Sequence, residues 1–223
     1  MQNFDIFPTL IKSFSYQKHD EVFELAKKYI EDNKSKSYKN TSCDSLDHIA
    51  CGGSHNSLLY EDQFTDLRNW IIECATKFAD DCGYDIKDGF FVTDSWINIC
   101  SAGGSQKFHN HANSLVSGTY YVNIEPEKHA PIQFKKNSIN SSEQTMLYLK
   151  KVKQTPYCSD AAIMPLPGEL FLWESNISHG YDYNKEDGRI SISFNILPKV
   201  MWSGIYGFQV GRITSEMNPW SLI

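Results

Sequence analysis

Apolar residues recur at helical spacing in two stretches of the first third of the chain. Between residues 18 and 31 the recurring positions are Val22, Leu25, Ala26, Tyr29 and Ile30. Between residues 62 and 82 they are Phe64, Leu67, Ile71, Cys74, Ala75 and Phe78, and Gly83 follows as a stop signal. Such spacing places one face of a helix against a core. The pattern therefore predicts two amphipathic helices before residue 90.

Beyond residue 90 the chain changes to short apolar or alternating runs, separated by turns rich in Gly, Asn, Pro and Ser. The runs lie at residues 90–92, 95–100, 116–124, 132–134, 169–173 and 189–197. Short strands between such turns are typical of a β-sandwich or barrel. We therefore expect a mainly β fold, with the N-terminal helices packed on one sheet. Residues 33–56 are polar without a clear period and predict a long exposed connection.

The chain length sets the expected domain organisation. A chain of 223 residues can bury one sizeable core, and nothing in the length requires a second complete domain. We expect a single domain over residues 1–223. Within it, residues 1–89 form a helical N-terminal support, residues 90–198 the β core, and residues 199–223 a C-terminal extension.

Charge and hydropathy exclude two classes of partner. The formal net charge of -6 repels a phosphate backbone, so we expect no nucleic acid partner. No apolar run approaches the roughly 20 residues that cross a bilayer, so we expect no membrane association. The first five residues lack the basic start of a signal peptide, so we expect a cytoplasmic protein.

Six cysteines are spread along the chain, at positions 43, 51, 74, 82, 100 and 158. None of them lies in a Cys-x-x-Cys pair of the kind that binds zinc or exchanges disulfides. We therefore predict free thiols.

Three histidines are candidates for one metal centre. His109 and His111 lie two residues apart between predicted strands, and residues two apart in an extended segment point the same way. His179 follows the apolar run 170–173 and a turn, and a third imidazole would complete one face of a metal such as iron(II). The alternatives are two exposed loop histidines and one structural histidine.

An alternating strand at residues 189–195 carries a candidate carboxylate site. Arg189, Ser191, Ser193 and Asn195 share one face of this strand. We expect the strand to pair with the His179 segment across the turn at residues 184–188, about one strand away from the metal. A guanidinium grips a carboxylate with two parallel hydrogen bonds, and Ser191 adds a third. The alternative is an ordinary solvated polar face.

Together these motifs resemble a known enzyme family. The motifs are Trp96-x-Asn98, His109-x-His111, Ser117-Gly118-x-Tyr120-Tyr121-Val122, Pro167-Gly168, His179 and Arg189-x-Ser191-x-Ser193-Phe194-Asn195. They are similar to those of a 2OG-Fe(II) oxygenase family common in bacteria and marine phages, over residues 96–198. The resemblance implies a double-stranded β-helix, also called a jelly roll or cupin-like fold, of the prolyl-hydroxylase type. It also implies an enzyme that uses iron(II), 2-oxoglutarate and molecular oxygen to hydroxylate a C–H bond.

The resemblance assigns roles to individual residues. His109 and His179 would bind iron, while Arg189, Ser191 and Tyr121 would bind the distal carboxylate of 2-oxoglutarate. Asn98 would contact the cosubstrate from the neighbouring strand. The substrate, peptidyl or small-molecule, and the oligomeric state have no sequence signal.

The chain departs from the wider superfamily at His111, where most members carry an acidic residue. We found no acid near the motif to replace it, since Asn113 is uncharged. We expect His111 to be the third iron ligand and the reaction to be oxygenation rather than halogenation. Two rivals remain. One is a cupin-type three-histidine dioxygenase or isomerase that does not use 2-oxoglutarate, and the other is a non-catalytic β-sandwich binding protein.

Overall fold

The computed structural model describes residues 8–39, 43–49, 58–112, 114–135, 155, 158, 160–202 and 204–211. Two α-helices are described, α1 (His19–Asn33) and α2 (Thr65–Asp81), together with short 3-10 turns at Lys34–Lys36, Leu58–Tyr60 and Asp62–Phe64. The strands are β1 (Lys12–Ser15), β2 (Tyr38–Lys39), β3 (Cys43–Ile49), β4 (Phe90–His109), β5 (Val116–Asn123), β6 (Ile132–Lys135), β7 (Asp160–Ile163), β8 (Glu169–Glu174), β9 (Ser178–Tyr181), β10 (Arg189–Pro198), β11 (Val200–Trp202) and β12 (Gly207–Gln209).

Both predicted helices are confirmed within a few residues of their expected ends. The stripe on α2 is buried, with Leu67, Ile71 and Phe78 each at most 1% exposed. After α2 ends, Gly83 adopts a φ of +78°, a conformation that favours glycine at a helix stop. Hydrophobic periodicity was sufficient to predict both helices because each helix buries one continuous apolar stripe.

A curled antiparallel sheet forms the body of the fold, with the strand order β1-β8-β5-β10-β4-β9-β6-β7. The mainly β, double-stranded β-helix prediction is confirmed. Strand β4 takes part in both halves of the curl, because residues 90–100 pair with β10, whereas Gln106 and His109 pair with β9. Gly103, with a φ of +79°, lies between these two parts. We call β1, β8, β5, β10 and the first part of β4 the major wing, and the second part of β4 with β9, β6 and β7 the minor wing.

The two faces of the major wing have different surroundings. Alternate residues of β10 and β5, such as Ile192, Phe194 and Tyr120, join the same apolar cluster as the buried residues of both helices. The other alternate residues face the minor wing, where Tyr121 and Trp173 pack with Phe134. The helices therefore close the outer face, and the inner face is left to line a pocket between the wings.

The prediction of an exposed connection over residues 33–56 is wrong for part of this segment. Residues 43–49 form β3, which pairs with β4, and Leu46, His48 and Ile49 are at most 2% exposed. A strand edge needs a partner for its backbone groups, and β3 supplies one to β4. The sequence of β3 does not predict a strand in the sheet, because it is mostly polar and only two of its residues are aliphatic. Residues 40–42 and 50–56 lie outside the described part of the chain.

The predicted pairing between the Arg189 and His179 strands is also wrong. Strand β10 pairs with β4 and β5, and β9 pairs with β4 and β6, so β4 lies between the two. The connecting turn crosses between the wings and is fixed by Asn184, which is fully buried. Its side chain bonds the backbone of Ser101, Ala130 and Glu186 at 2.6–3.2 Å. These contacts hold the turn across β4, so a hairpin cannot form.

Candidate active site

A pocket lies between the wings, and residues of both wings line it. All of the candidate residues from the sequence line it: His109, His111, His179, Arg189, Ser191, Tyr121 and Asn98. The motifs are far apart in the chain, and the curl of the sheet brings them together.

Three imidazoles meet at one end of the pocket. His109 is the last residue of β4 and lies directly opposite His179 of β9 in the strand register. His111 follows two residues later, where its backbone N–H donates to the Ser175 carbonyl at 3.0 Å. The ring centroids are separated by 4.5–5.1 Å, and one ligand atom from each ring lies within 4.8 Å of the others. Such a cluster can hold one metal ion.

Backbone carbonyls fix the proton on two of these rings. Nδ1 of His109 lies 2.8 Å from the Lys107 carbonyl, and Nδ1 of His179 lies 3.0 Å from the Ile177 carbonyl. Because a carbonyl only accepts, each Nδ1 carries the hydrogen and each Nε2 keeps its lone pair. A second partner of this kind is the usual support for a metal-binding histidine.

Burial favours the neutral form of two of these rings, His111 and His179. Burial lowers the pKa of His179 to about 3, with the Ile177 carbonyl opposing and the neighbouring imidazoles adding to the shift. Burial also lowers the pKa of His111 to about 4, assisted by His109 and opposed by Asp94. A neutral imidazole has one nitrogen with a lone pair, so metal binding through these two rings requires no net loss of a proton.

A buried guanidinium, that of Arg189, lines the same pocket as the three imidazoles. Arg189 is 2% exposed, its Nε donates to the Ala130 carbonyl at 3.2 Å, and its guanidinium lies 4.0 Å from the ring centre of Tyr181. In the described part of the chain no carboxylate lies within ion-pair distance of it. A buried charge without a counter-ion is unfavourable by several kcal/mol, so this end of the pocket suits an anion.

The hydroxyl of Tyr121 supports the same interpretation. Tyr121 is fully buried, and its hydroxyl has no hydrogen-bond partner among the described residues. Burial raises the pKa of Tyr121, and Arg189, as a nearby charge and hydrogen-bond donor, only partly opposes this shift. A protonated phenol beside a guanidinium gives two kinds of donor for one carboxylate.

A polar network lies on β4 and β10, the two strands that carry Asn98 and Ser191. Asn98 and Ser191 are register partners on β4 and β10. The Asn98 amide donates to Ser193 Oγ at 2.8 Å and more weakly to Ser191 Oγ at 3.4 Å, while its carbonyl accepts from Trp96 Nε1 at 2.9 Å. Arg189, Ser191 and Asn195 on the polar face of β10 are buried, so the alternative of an ordinary solvated face is wrong.

Two features of the site were missed in the sequence. His48 on β3 lies opposite Asn98 in the register and is 2% exposed, and its only signal was an isolated histidine in a polar stretch. Among the described residues no acid joins the three imidazoles, but an acid from a distant part of the sequence lies nearby. Asp94 reaches the motif through Asn195, whose Nδ2 lies 3.0 Å from the carboxylate and 3.4 Å from His111 Nδ1. Asn113 lies outside the described residues.

The sequence comparison identifies the family. Residues 94–195 match the profile of the family described as "Putative 2OG-Fe(II) oxygenase". Residues 94–195 therefore form a region similar to the 2OG-Fe(II) oxygenases, and the chain is called the oxygenase below. Iron(II) and 2-oxoglutarate are the metal and cosubstrate of this oxygenase. No curated protein matches its sequence.

Solved structures with the same fold include several 2-oxoglutarate enzymes. A prolyl-4-hydroxylase from Pseudomonas putida is 10% identical with a TM-score of 0.57, over 84% of the oxygenase and 92% of that chain. The epimerase SnoN from nogalamycin biosynthesis, in complex with Fe3+, alpha ketoglutarate and nogalamycin RO, is 10% identical with a TM-score of 0.60, over 92% and 90%. A prolyl hydroxylase from Trichoplax adhaerens, in complex with a hypoxia inducible factor peptide, is 12% identical with a TM-score of 0.54, over 84% and 83%.

The pocket of the oxygenase fits both groups that the family uses. Borderline metal ions such as iron(II) accept neutral imidazoles, which are clustered at one end. The buried guanidinium and the unpartnered phenol at the other end match a carboxylate. Among the described residues, no helix is long and apolar enough to cross a membrane. Cys74 and Cys82 are free thiols, as predicted for them.

Proposed function

We propose that the oxygenase hydroxylates a C–H bond of a peptidyl or small-molecule substrate. In this proposal the metal ligands are His109, His111 and His179, and the cosubstrate-binding residues are Arg189, Ser191, Tyr121 and Asn98. The observation that carries the proposal is the buried Arg189, which lacks a carboxylate partner in the described chain and shares a pocket with three imidazoles.

The imidazole end supplies the metal ligands. Two Nε2 lone pairs are fixed by the carbonyl partners of His109 and His179. The Nε2 atoms of His111 and His179 lie 3.3 Å apart, close to the roughly 3 Å between adjacent ligands at usual metal–imidazole distances. When bound, iron(II) and 2-oxoglutarate supply the activation of oxygen. The protein residues provide positions and exclude water.

The opposite end orients the cosubstrate. Arg189 offers N–H donors in a planar fork, and the Tyr121 hydroxyl can donate to the same carboxylate. Ser191 and Asn98 lie across from one another on β10 and β4 and provide further donors. Water is a weak competitor because Arg189, Ser191 and Tyr121 are each at most 2% exposed.

Both substrate classes have support among proteins of this fold. One structural neighbour is in complex with a peptide fragment, and another with nogalamycin RO. These neighbours are about 10% identical to the oxygenase, so they support the range of substrates and do not select one.

The proposal is tested with iron(II)-loaded protein and a panel of proline-containing peptides and small metabolites. We expect oxygen-dependent succinate release from 2-oxoglutarate that rises with one substrate of the panel. The His179→Ala variant should lose most metal binding because only two ligands remain, and the exposed Asn176→Ala should not. A protein that binds iron but never forms succinate would favour the alternative, a cupin-type three-histidine enzyme that does not use 2-oxoglutarate. Unchanged iron affinity in His179→Ala would contradict the proposed metal site.

A further inference from the structure

The third imidazole differs from the other two in the group that faces its Nδ1. The Nδ1 atoms of His109 and His179 face backbone carbonyls, which accept hydrogen bonds. Nδ1 of His111 instead faces the side-chain nitrogen of Asn195 at 3.4 Å. An amide nitrogen only donates, so it pairs with an Nδ1 that carries a lone pair. In this geometry the hydrogen of His111 is on Nε2.

Asp94 fixes the orientation of the Asn195 amide. The amide nitrogen donates to Asp94 Oδ2 at 3.0 Å, and the amide oxygen accepts from Ser117 Oγ at 2.7 Å. A turned amide would still satisfy Ser117, because a hydroxyl can donate or accept. It would not satisfy Asp94, because an ionised carboxylate only accepts. The Asp94 carboxylate is itself held by Thr93 Oγ1 at 2.7 Å.

The strand register places these groups together. Asn195 of β10 lies opposite Asp94 of β4 on one side and Ser117 of β5 on the other. Asn195 is 6% exposed and Ser117 is 1% exposed, so little solvent is present to replace a lost partner.

We infer that Asp94 and Asn195 make His111 the most weakly held of the three proposed iron ligands, an inference that rests on the proposed metal site. In the metal-free protein His111 keeps its hydrogen on Nε2, which donates to His179 Nε2 at 3.3 Å. Coordination through Nε2 requires the hydrogen on Nδ1 and a turned Asn195 amide, with loss of the bond to Asp94. Asp94 and Asn195 are therefore positioning residues that act through His111.

The tautomer is measured directly by nitrogen-15 NMR of metal-free protein with labelled histidines, assigned with single His→Gln variants. We expect Nδ1–H on His109 and His179 and Nε2–H on His111, with His111 changing to Nδ1–H when zinc(II) is added. In Asp94→Asn the new amide can donate to a turned Asn195, so His111 should shift toward Nδ1–H without metal. The exposed Asp85→Asn, which removes the same charge elsewhere, should leave it unchanged. An Nδ1–H form of His111 in metal-free wild type would overturn the inference.

Metal affinity gives a second, independent test. After correction for the lost charge, zinc(II) and anaerobic iron(II) should bind about three- to tenfold more tightly to Asp94→Asn than to wild type. This factor corresponds to the net contribution of one hydrogen bond, because coordination no longer breaks the bond between Asn195 and Asp94. The same substitution in a His111→Ala background measures that charge effect alone, and the double-mutant cycle isolates the coupling. Equal changes in both backgrounds would overturn the inference. If wild type binds neither metal, the proposed function fails, while the tautomer of His111 is still decided by the NMR measurement.

Discussion

Replacing Arg189 with methionine removes a buried charge and keeps most of the side-chain volume. Arg189 is 2% exposed, and its described polar contact is the Ala130 carbonyl at 3.2 Å. The substitution therefore deletes the guanidinium without breaking an ion pair in the described chain. Because the uncompensated charge is itself unfavourable, we expect the metal-free variant to be as stable as wild type or more stable.

The effect on cosubstrate binding should be large. Each hydrogen bond to a charged group contributes roughly 1.5–3 kcal/mol, so two parallel bonds contribute about 3–6 kcal/mol. At about 1.4 kcal/mol per factor of ten, this range corresponds to about 10²–10⁴ in the dissociation constant. Tyr121 and Ser191 remain as partners, so we expect a loss of about 10²-fold. Arg189→Lys should recover only part of it, since an ammonium lacks the planar fork.

The assay is an anaerobic titration of 2-oxoglutarate into iron(II)-loaded protein, followed by the metal-to-ligand charge-transfer band. Iron affinity should be unchanged in Arg189→Met, because the guanidinium is not a metal ligand. Arg68→Met is the matched control, since Arg68 contacts the Leu59 carbonyl and the Tyr60 ring. An Arg189→Met variant that binds 2-oxoglutarate within a factor of three of wild type would refute the reasoning. So would a marked loss of metal-free stability.

Three further predictions concern other parts of the structure. Tyr121→Phe should weaken 2-oxoglutarate about five- to tenfold through one lost hydrogen bond, and an unchanged constant in the same titration would exclude the phenol as a partner. The free energy of unfolding of the metal-free protein should rise as the pH increases to about 6.5. Burial lowers the pKa of His48 and His111 to about 4 in the folded protein. Between about pH 4 and 6.5 the unfolded state therefore binds more protons than the folded state, and raising the pH favours folding. Urea denaturation between pH 5 and 7.5 measures this, His48→Leu should reduce the slope, and a flat profile would contradict the burial. Gly118→Ala should destabilise the fold by about 1–3 kcal/mol and leave cosubstrate affinity unchanged. The added Cβ would lie 2.5 Å from Phe194 and 2.6 Å from Leu172, on the side of the sheet that faces the helices. A variant with the stability of wild type would contradict this packing.

The sequence by itself determined the features that depend on local periodicity. Both helices follow from a 3.6-residue stripe, and the faces of β10 follow from strict alternation, which placed Arg189 and Ser191 on one side. His109 and His111 converge because they lie two residues apart in an extended segment. The motif residues within 94–195 were recognisable for the same reason, since each motif is a short local pattern.

Only the tertiary structure decided which strands are neighbours. The separation of β10 from β9 by β4, and the addition of β3 to the sheet, depend on backbone pairing between distant segments. Residue periodicity does not encode such pairing, because any strand with one suitable face can pair with several others. The organisation of residues 1–223 as one domain stays a prediction.

The same limit explains why the sequence did not reveal Asp94 beside the proposed metal site. Asp94 is 17 positions from His111 in the numbering, and it reaches the ring only because β10 places Asn195 opposite it. A search for acids near a motif in sequence cannot find a carboxylate that arrives across a strand pair. The local sequence therefore revealed which residues are the proposed ligands. The tautomer of each imidazole depends on strand register, and only the folded sheet sets that register.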